Sequence, residues 1–108
     1  MLFELERGRN RRRLGFAGVI SVALALSEQG LLVTDPEIEL TGVPETNNRG
    51  ESLAEIVYDA VVGTVEDMPR NRRRDPDAVA ESVSRAVRSS VAREWNKKPM
   101  CHVLVLTV

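Results

Sequence analysis

The side chains able to do chemistry are few in this chain, and they argue first by what is missing. His102 is the sole histidine and Cys101, beside it, the sole cysteine. One histidine cannot make a two-histidine zinc site, and no serine has a convincing setting for a Ser-His pair. Both residues sit in an apolar run at the end of the chain, where each reads more simply as a strand residue. A single cysteine excludes an internal disulfide and fits a reducing compartment. No glycine-rich phosphate cradle is present. Asp35, Glu37 and Glu39 alternate along one stretch, and paired carboxylates can do acid-base work. Nothing beside them indicates a pocket, and a solvated edge strand accounts for them. Catalysis by this chain alone is not expected.

Binding chemistry has more to rest on. The candidate RNA contacts are three basic clusters: Arg11, Arg12 and Arg13; Arg72, Arg73 and Arg74 at the end of the run from Arg70; and Lys97 with Lys98. Each has a plain reading as a solvated loop and a sharper one as a phosphate contact. The net charge of -1 gives no global attraction to nucleic acid or membrane, so any such affinity must be local. Aromatic residues make up only 4% of the chain, too few for a base-stacking platform. The Gly-x-x-Gly clamp of KH domains and the aromatic strand motifs of RRM domains are both absent.

The elements that must position these residues can be read in order. At 108 residues the chain supports one core. Residues 1–15 read as a linker or charged arm and residues 16–108 as a small α/β (α+β) domain. The arginines before Phe16–Leu26 superficially imitate a signal peptide. The run is too short to span a membrane, however, and no clear cleavage site follows, so a cytoplasmic protein is expected. Phe16 to Leu26 alternates by size. Ile20, Val22, Leu24 and Leu26 share one parity, and Ala17, Val19, Ser21, Ala23 and Ala25 share the other. Ser27 to Gly30 reads as a hairpin turn, and Leu31 to Val43 as an edge strand limited by Pro36. Ser52 and Glu55 predict a capping box for a helix with Leu53, Val57, Val61 and Val65 on its apolar face. Asp75-Pro76 opens a second helix with the stripe Val79, Val83, Val87, Val91. Asn96 and Pro99 close it. The last strand carries Val or Leu at both parities and is expected to be buried on both faces.

The order strand, strand, helix, helix, strand, joined by short links, predicts a three-stranded mixed sheet of order 2-1-3 with both helices on one face. That leaves Ala17, Val19, Ser21, Ala23 and Ala25 uncovered from within the chain, as a candidate association face.

These features together resemble the C-terminal domain of ribonuclease J, of the metallo-β-lactamase, β-CASP type. The carriers are Lys97-Lys98-Pro99-Met100 before a terminal apolar strand; Gly30, Pro36-Glu37-Ile38 and Gly42 in the second strand region; and two helices of matching order, the second bearing Arg85. The similarity covers roughly residues 10 to 108. The resemblance implies a parent enzyme that cleaves RNA 5′-to-3′ and endonucleolytically at a zinc site built from a His-x-His-x-Asp-His motif. That motif is absent here, so no catalytic or metal position carries over, and the zinc would belong to the parent's catalytic part. The implied partners are that catalytic core, a second copy of the domain as a dimer, or both, with RNA as an alternative and no membrane. The Arg70 to Arg74 run and the loop Asn47-Asn48-Arg49-Gly50 have no counterpart in the resemblance.

Overall fold

The computed structural model describes residues 16–108. Three strands, β1 (Phe16–Leu26), β2 (Glu37–Thr41) and β3 (Lys98–Thr107), form one sheet of order β2-β1-β3. β2 pairs antiparallel with β1, and β3 pairs parallel to it. The helices are α1 (Leu53–Asp67), a single turn α2 (Arg70–Arg73), and α3 (Pro76–Trp95). The strand order and mixed pairing are those that the short links require.

The size alternation of β1 builds the core. Ile20, Val22, Leu24 and Leu26 are all buried, and they meet Val57, Val61 and Val65 of α1 and Val79, Val83, Val87 and Val91 of α3. Each buried aliphatic side chain of this kind contributes about 1.5–3 kcal/mol. Ile38 and Leu40 of β2 and Cys101, Val103 and Val105 of β3 pack against the same cluster at its margins.

Local signals set the helix ends. Ser52 Oγ accepts from Glu55 N at 3.3 Å. Only this half of the capping box forms, with Glu55 exposed. Asp75 Oδ1 accepts from Asp77 N at 3.1 Å, with Pro76 at the first turn. Asn96 takes the left-handed conformation, φ 64, and its N–H donates to Ala92 O, closing α3. The hairpin turn closes through Gly30 N to Ser27 O at 2.9 Å and Ser27 N to Leu31 O at 2.8 Å. Gly30 has φ +84, and a Cβ there would lie 2.6 Å from Arg73 Cβ, so α2 docks under the turn only because this residue is glycine.

Four expectations change. The second strand covers Glu37–Thr41 rather than residues 31–43, because Pro36 supplies no ladder donor; upstream of it, Leu26 and Leu32 form only an isolated bridge. The arginine run is not a plain loop: Arg72 N and Arg73 N both donate to Pro69 O, making the α2 turn. β1 carries a bulge between Phe16 and Val19, where three residue steps oppose two steps of β3. The strict alternation therefore begins at Val19, and Ala17 falls outside it. Finally, β3 is not buried on both faces: Leu104 and Leu106 are 57% and 52% exposed. Two helices cover one side of the sheet, and none of the described residues covers the other.

Candidate functional site

The open face is built by lateral rows across the strands. Thr41, Val19 and Met100 form one row; Glu39, Ser21 and His102 the next; Glu37, Ala23 and Leu104 the third; Ala25 and Leu106 the fourth. The central strand contributes the smallest side chains, so the face is a trough rather than a plane. A hollow of about 550 Å³ lies over Ser21 and Ala23. Glu37 and Glu39 rim it on the β2 side, with His102 and Leu104 on the β3 side. Leu104 and Leu106 stand as a ridge beside the trough, and Val33 adds an apolar side chain 50% exposed near the hairpin end.

Val19, Ser21, Ala23 and Ala25 are thus where the size alternation placed them, while Ala17 lies in the bulge. The ridge was missed in the sequence because Val and Leu at both parities read as a strand buried on both sides. The signal that does expose it is the element count, since two helices can cover only one face.

The groups with chemical potential do not converge. Asp35 precedes β2, and its Oδ1 accepts from Tyr58 OH of α1 at 3.0 Å, which separates it from Glu37 and Glu39. That carboxylate holds the Tyr58 phenol above its ordinary pKa. Cys101 lies on the helix side of β3. Burial pushes its thiol up, against a hydrogen bond with Ser84 and the nearby charge of Arg88. His102 is on the opposite side, exposed, in the row of Ser21 and Glu39. Among the described residues no three histidine, cysteine or carboxylate groups gather as metal ligands, and no helix is long and apolar enough to cross a membrane.

The basic clusters are dispersed as well. Arg11, Arg12 and Arg13 lie outside the described residues. Arg72, Arg73 and Arg74 sit at the hairpin end, where Arg73 is half-buried against Gly30, and its buried Nε has no partner. Lys97 precedes β3 and Lys98 begins it, at the other end, with Lys97 Nζ 6.0 Å from the centre of the Trp95 ring. The rise of β1 separates the two ends by roughly 30 Å. Lys98 lines a surface groove together with Arg85 and Arg88 of α3, two arginines that form no run in the sequence.

The loop without a counterpart in the resemblance is a clip. Asn47 Oδ1 accepts from Arg49 N and Glu51 N, each at 2.9 Å. Asn47 Nδ2 donates to Glu51 Oε1 at 2.8 Å and to Glu94 Oε1 at 2.9 Å. Arg49 bridges the same two carboxylates at 3.0 and 2.9 Å. These contacts hold the Glu51 carboxyl below its ordinary range, the Asn47 hydrogen bond foremost, and fasten the loop to the end of α3.

Comparison with known proteins identifies a family. A family model described as the ribonuclease J C-terminal domain matches residues 9–108. A ribonuclease J from Sinorhizobium meliloti is 41% identical over 98 residues, which is 91% of this chain and 17% of the relative. The chain thus spans about a sixth of that protein's length. By the family match over residues 9–108, the chain belongs to the ribonuclease J C-terminal domain family.

Proposed function

We propose that this domain is a non-catalytic association module of a ribonuclease J-like protein, and that its open sheet face packs against the same face of a second copy. The observation that carries this reading is the pairing of a ridge with a trough in one register. Leu104 lies beside Ala23, and Leu106 beside Ala25. A two-fold axis parallel to the strands, passing between β1 and β3, sets Leu104 of each copy over Ala23 of the other and Leu106 over Ala25. An isologous interface requires such self-complementarity. Sheets pack face to face with strand directions within about 30°, which this arrangement satisfies.

The same operation brings His102 over Ser21, one polar pair within an apolar patch. Glu37 and Glu39 remain at the margin in water. An apolar centre with a charged rim is the usual anatomy of a protein interface. Exposed leucines on an edge strand are otherwise a liability, and a partner removes it. RNA hydrolysis and its zinc belong, in this reading, to the remainder of the parent chain, and the domain contributes by bringing copies together in the cytoplasm.

Sedimentation velocity of the 108-residue chain over a concentration series tests it. The wild type shifts from monomer to dimer as concentration rises, and Leu104→Glu stays monomeric with an unchanged circular dichroism spectrum. A wild type that remains monomeric at high concentration contradicts the proposal.

A further inference from the structure

The two outer strands of the sheet differ in how they guard their edges. β2 has five residues, follows Pro36 and carries Glu37 and Glu39, features that discourage a further strand. β3 has ten residues, and after Lys98 and Pro99 it carries no lysine, arginine, carboxylate or proline. Val108 N donates to Leu26 O, and backbone direction alternates along a strand, so the even residues of β3 bond to β1. The N–H and C=O groups of Cys101, Val103 and Val105 therefore point away from the sheet, with no strand among the described residues to meet them. Their side chains pack at the margin of the core and stay half-buried. Beside them Arg85, Arg88, Ser89 and Ala92 of α3, with Lys98 and Pro99, line a mostly apolar groove of about 410 Å³. No residue of β1 or α1 lines it, so it opens at the sheet edge.

What this edge takes follows from the face-to-face pairing proposed above, on which the inference rests. That two-fold axis runs between β1 and β3, so it carries β2 of the second copy one strand beyond β3. There Glu37 and Glu39 of the second copy overlie the position of a fourth strand. We propose that the free edge of β3 binds an extended basic segment of another protein as that fourth strand. Its backbone pairs with Cys101, Val103 and Val105, the mode known as β-augmentation. Its side chains alternate: apolar toward α3, one of them entering the groove, and lysine or arginine toward Glu37 and Glu39 of the second copy. Each sheet then has four strands, and the axis passes through the middle of the pair. The occupant is not β3 of a further copy. A two-fold axis through that edge would not meet the axis of face pairing, and the contacts would propagate as a fibre instead of closing.

Amide hydrogen exchange, followed by NMR on the 108-residue chain with a synthetic heptapeptide of alternating lysine and valine, tests the proposal. In the free chain the amides of Cys101, Val103 and Val105 exchange faster than those of His102, Leu104 and Leu106, and the peptide slows them. The same peptide with all its backbone amides methylated has no effect. Val103→Pro removes one outward donor without touching the pairing to β1, and it weakens binding severalfold while the circular dichroism spectrum is kept. Glutamate in place of lysine weakens binding severalfold, and Glu37→Gln with Glu39→Gln abolishes that preference. Sedimentation of the same samples separates the two readings. A chain that stays monomeric overturns the face pairing. In a dimeric chain, unchanged exchange at Val103 and Val105, undiminished binding of the methylated peptide, or equal binding of the lysine and glutamate peptides overturns the fourth strand.

Discussion

The two faces of one sheet make the most instructive contrast in this molecule. On the helix side, Ile20, Val22, Leu24 and Leu26 are at most 2% exposed, and the valines of α1 and α3 close over them. On the other side the same strand presents Val19, Ser21, Ala23 and Ala25, with Leu104 and Leu106 of β3 standing more than half exposed beside them. Both faces are largely apolar, yet only one is filled. A solvated face of an antiparallel or mixed sheet ordinarily turns polar at every second residue. Here Glu37 and Glu39 follow that rule on β2, and β3 breaks it. The difference teaches that the covered face holds the fold together, while the open face is free to serve something outside it.

The widest separation between the two faces should appear in paired truncations. Leu24→Ala removes a fully enclosed side chain and is expected to cost about 2–5 kcal/mol. Leu104→Ala removes a similar volume from the open face, and the monomer should lose no more than about 0.5 kcal/mol. Urea denaturation of both variants at low protein concentration measures the gap, and equal losses would break the comparison.

The covered layer depends on close approach at the hairpin as well as on burial. Gly30→Ala places a methyl group against Arg73 and strains a residue at φ +84, so a loss of about 1–3 kcal/mol is expected. Gly50 has a similar φ of +81, but a methyl group there would meet nothing within 4 Å, and Gly50→Ala should cost less. Thermal unfolding of the two variants separates strain from collision.

The smallest expected effect belongs to the clip on α3. The Glu51 carboxyl is held below its ordinary pKa. A depressed folded-state pKa contributes stability above the unfolded value, and that stability is lost as pH falls through the folded value. The melting temperature of Glu51→Gln should therefore lie slightly below wild type at neutral pH and converge with it in acid. A gap that widens on acidification would overturn the clip.

Much of the covered half was legible because its signals are local. Ser52, the Asp75-Pro76 pair, Gly30 and Asn96 each fix a backbone ending by their own chemistry, and the valine spacing of α1 and α3 names the buried face. The open half was legible only in its centre. The small residues of β1 announced a surface of close approach. The leucines of β3 did not declare which side lacked cover, because burial by another molecule leaves the same residue types as burial by the chain itself. Asp35 misled for a related reason: its partner, Tyr58, is distant in sequence, and alternation with Glu37 and Glu39 said nothing about it.

Cross-linking through the centre of the open face tests the main claim most directly. In a Cys101→Ser background, Ser21→Cys places a thiol at the middle of the trough, and Ala54→Cys places one on the exposed side of α1. With a short bismaleimide, a covalent dimer is expected from Ser21→Cys and none from Ala54→Cys, at concentrations where the parent chain dimerises. Cross-linking through Ala54→Cys alone, or through neither, would contradict packing of one sheet face on another.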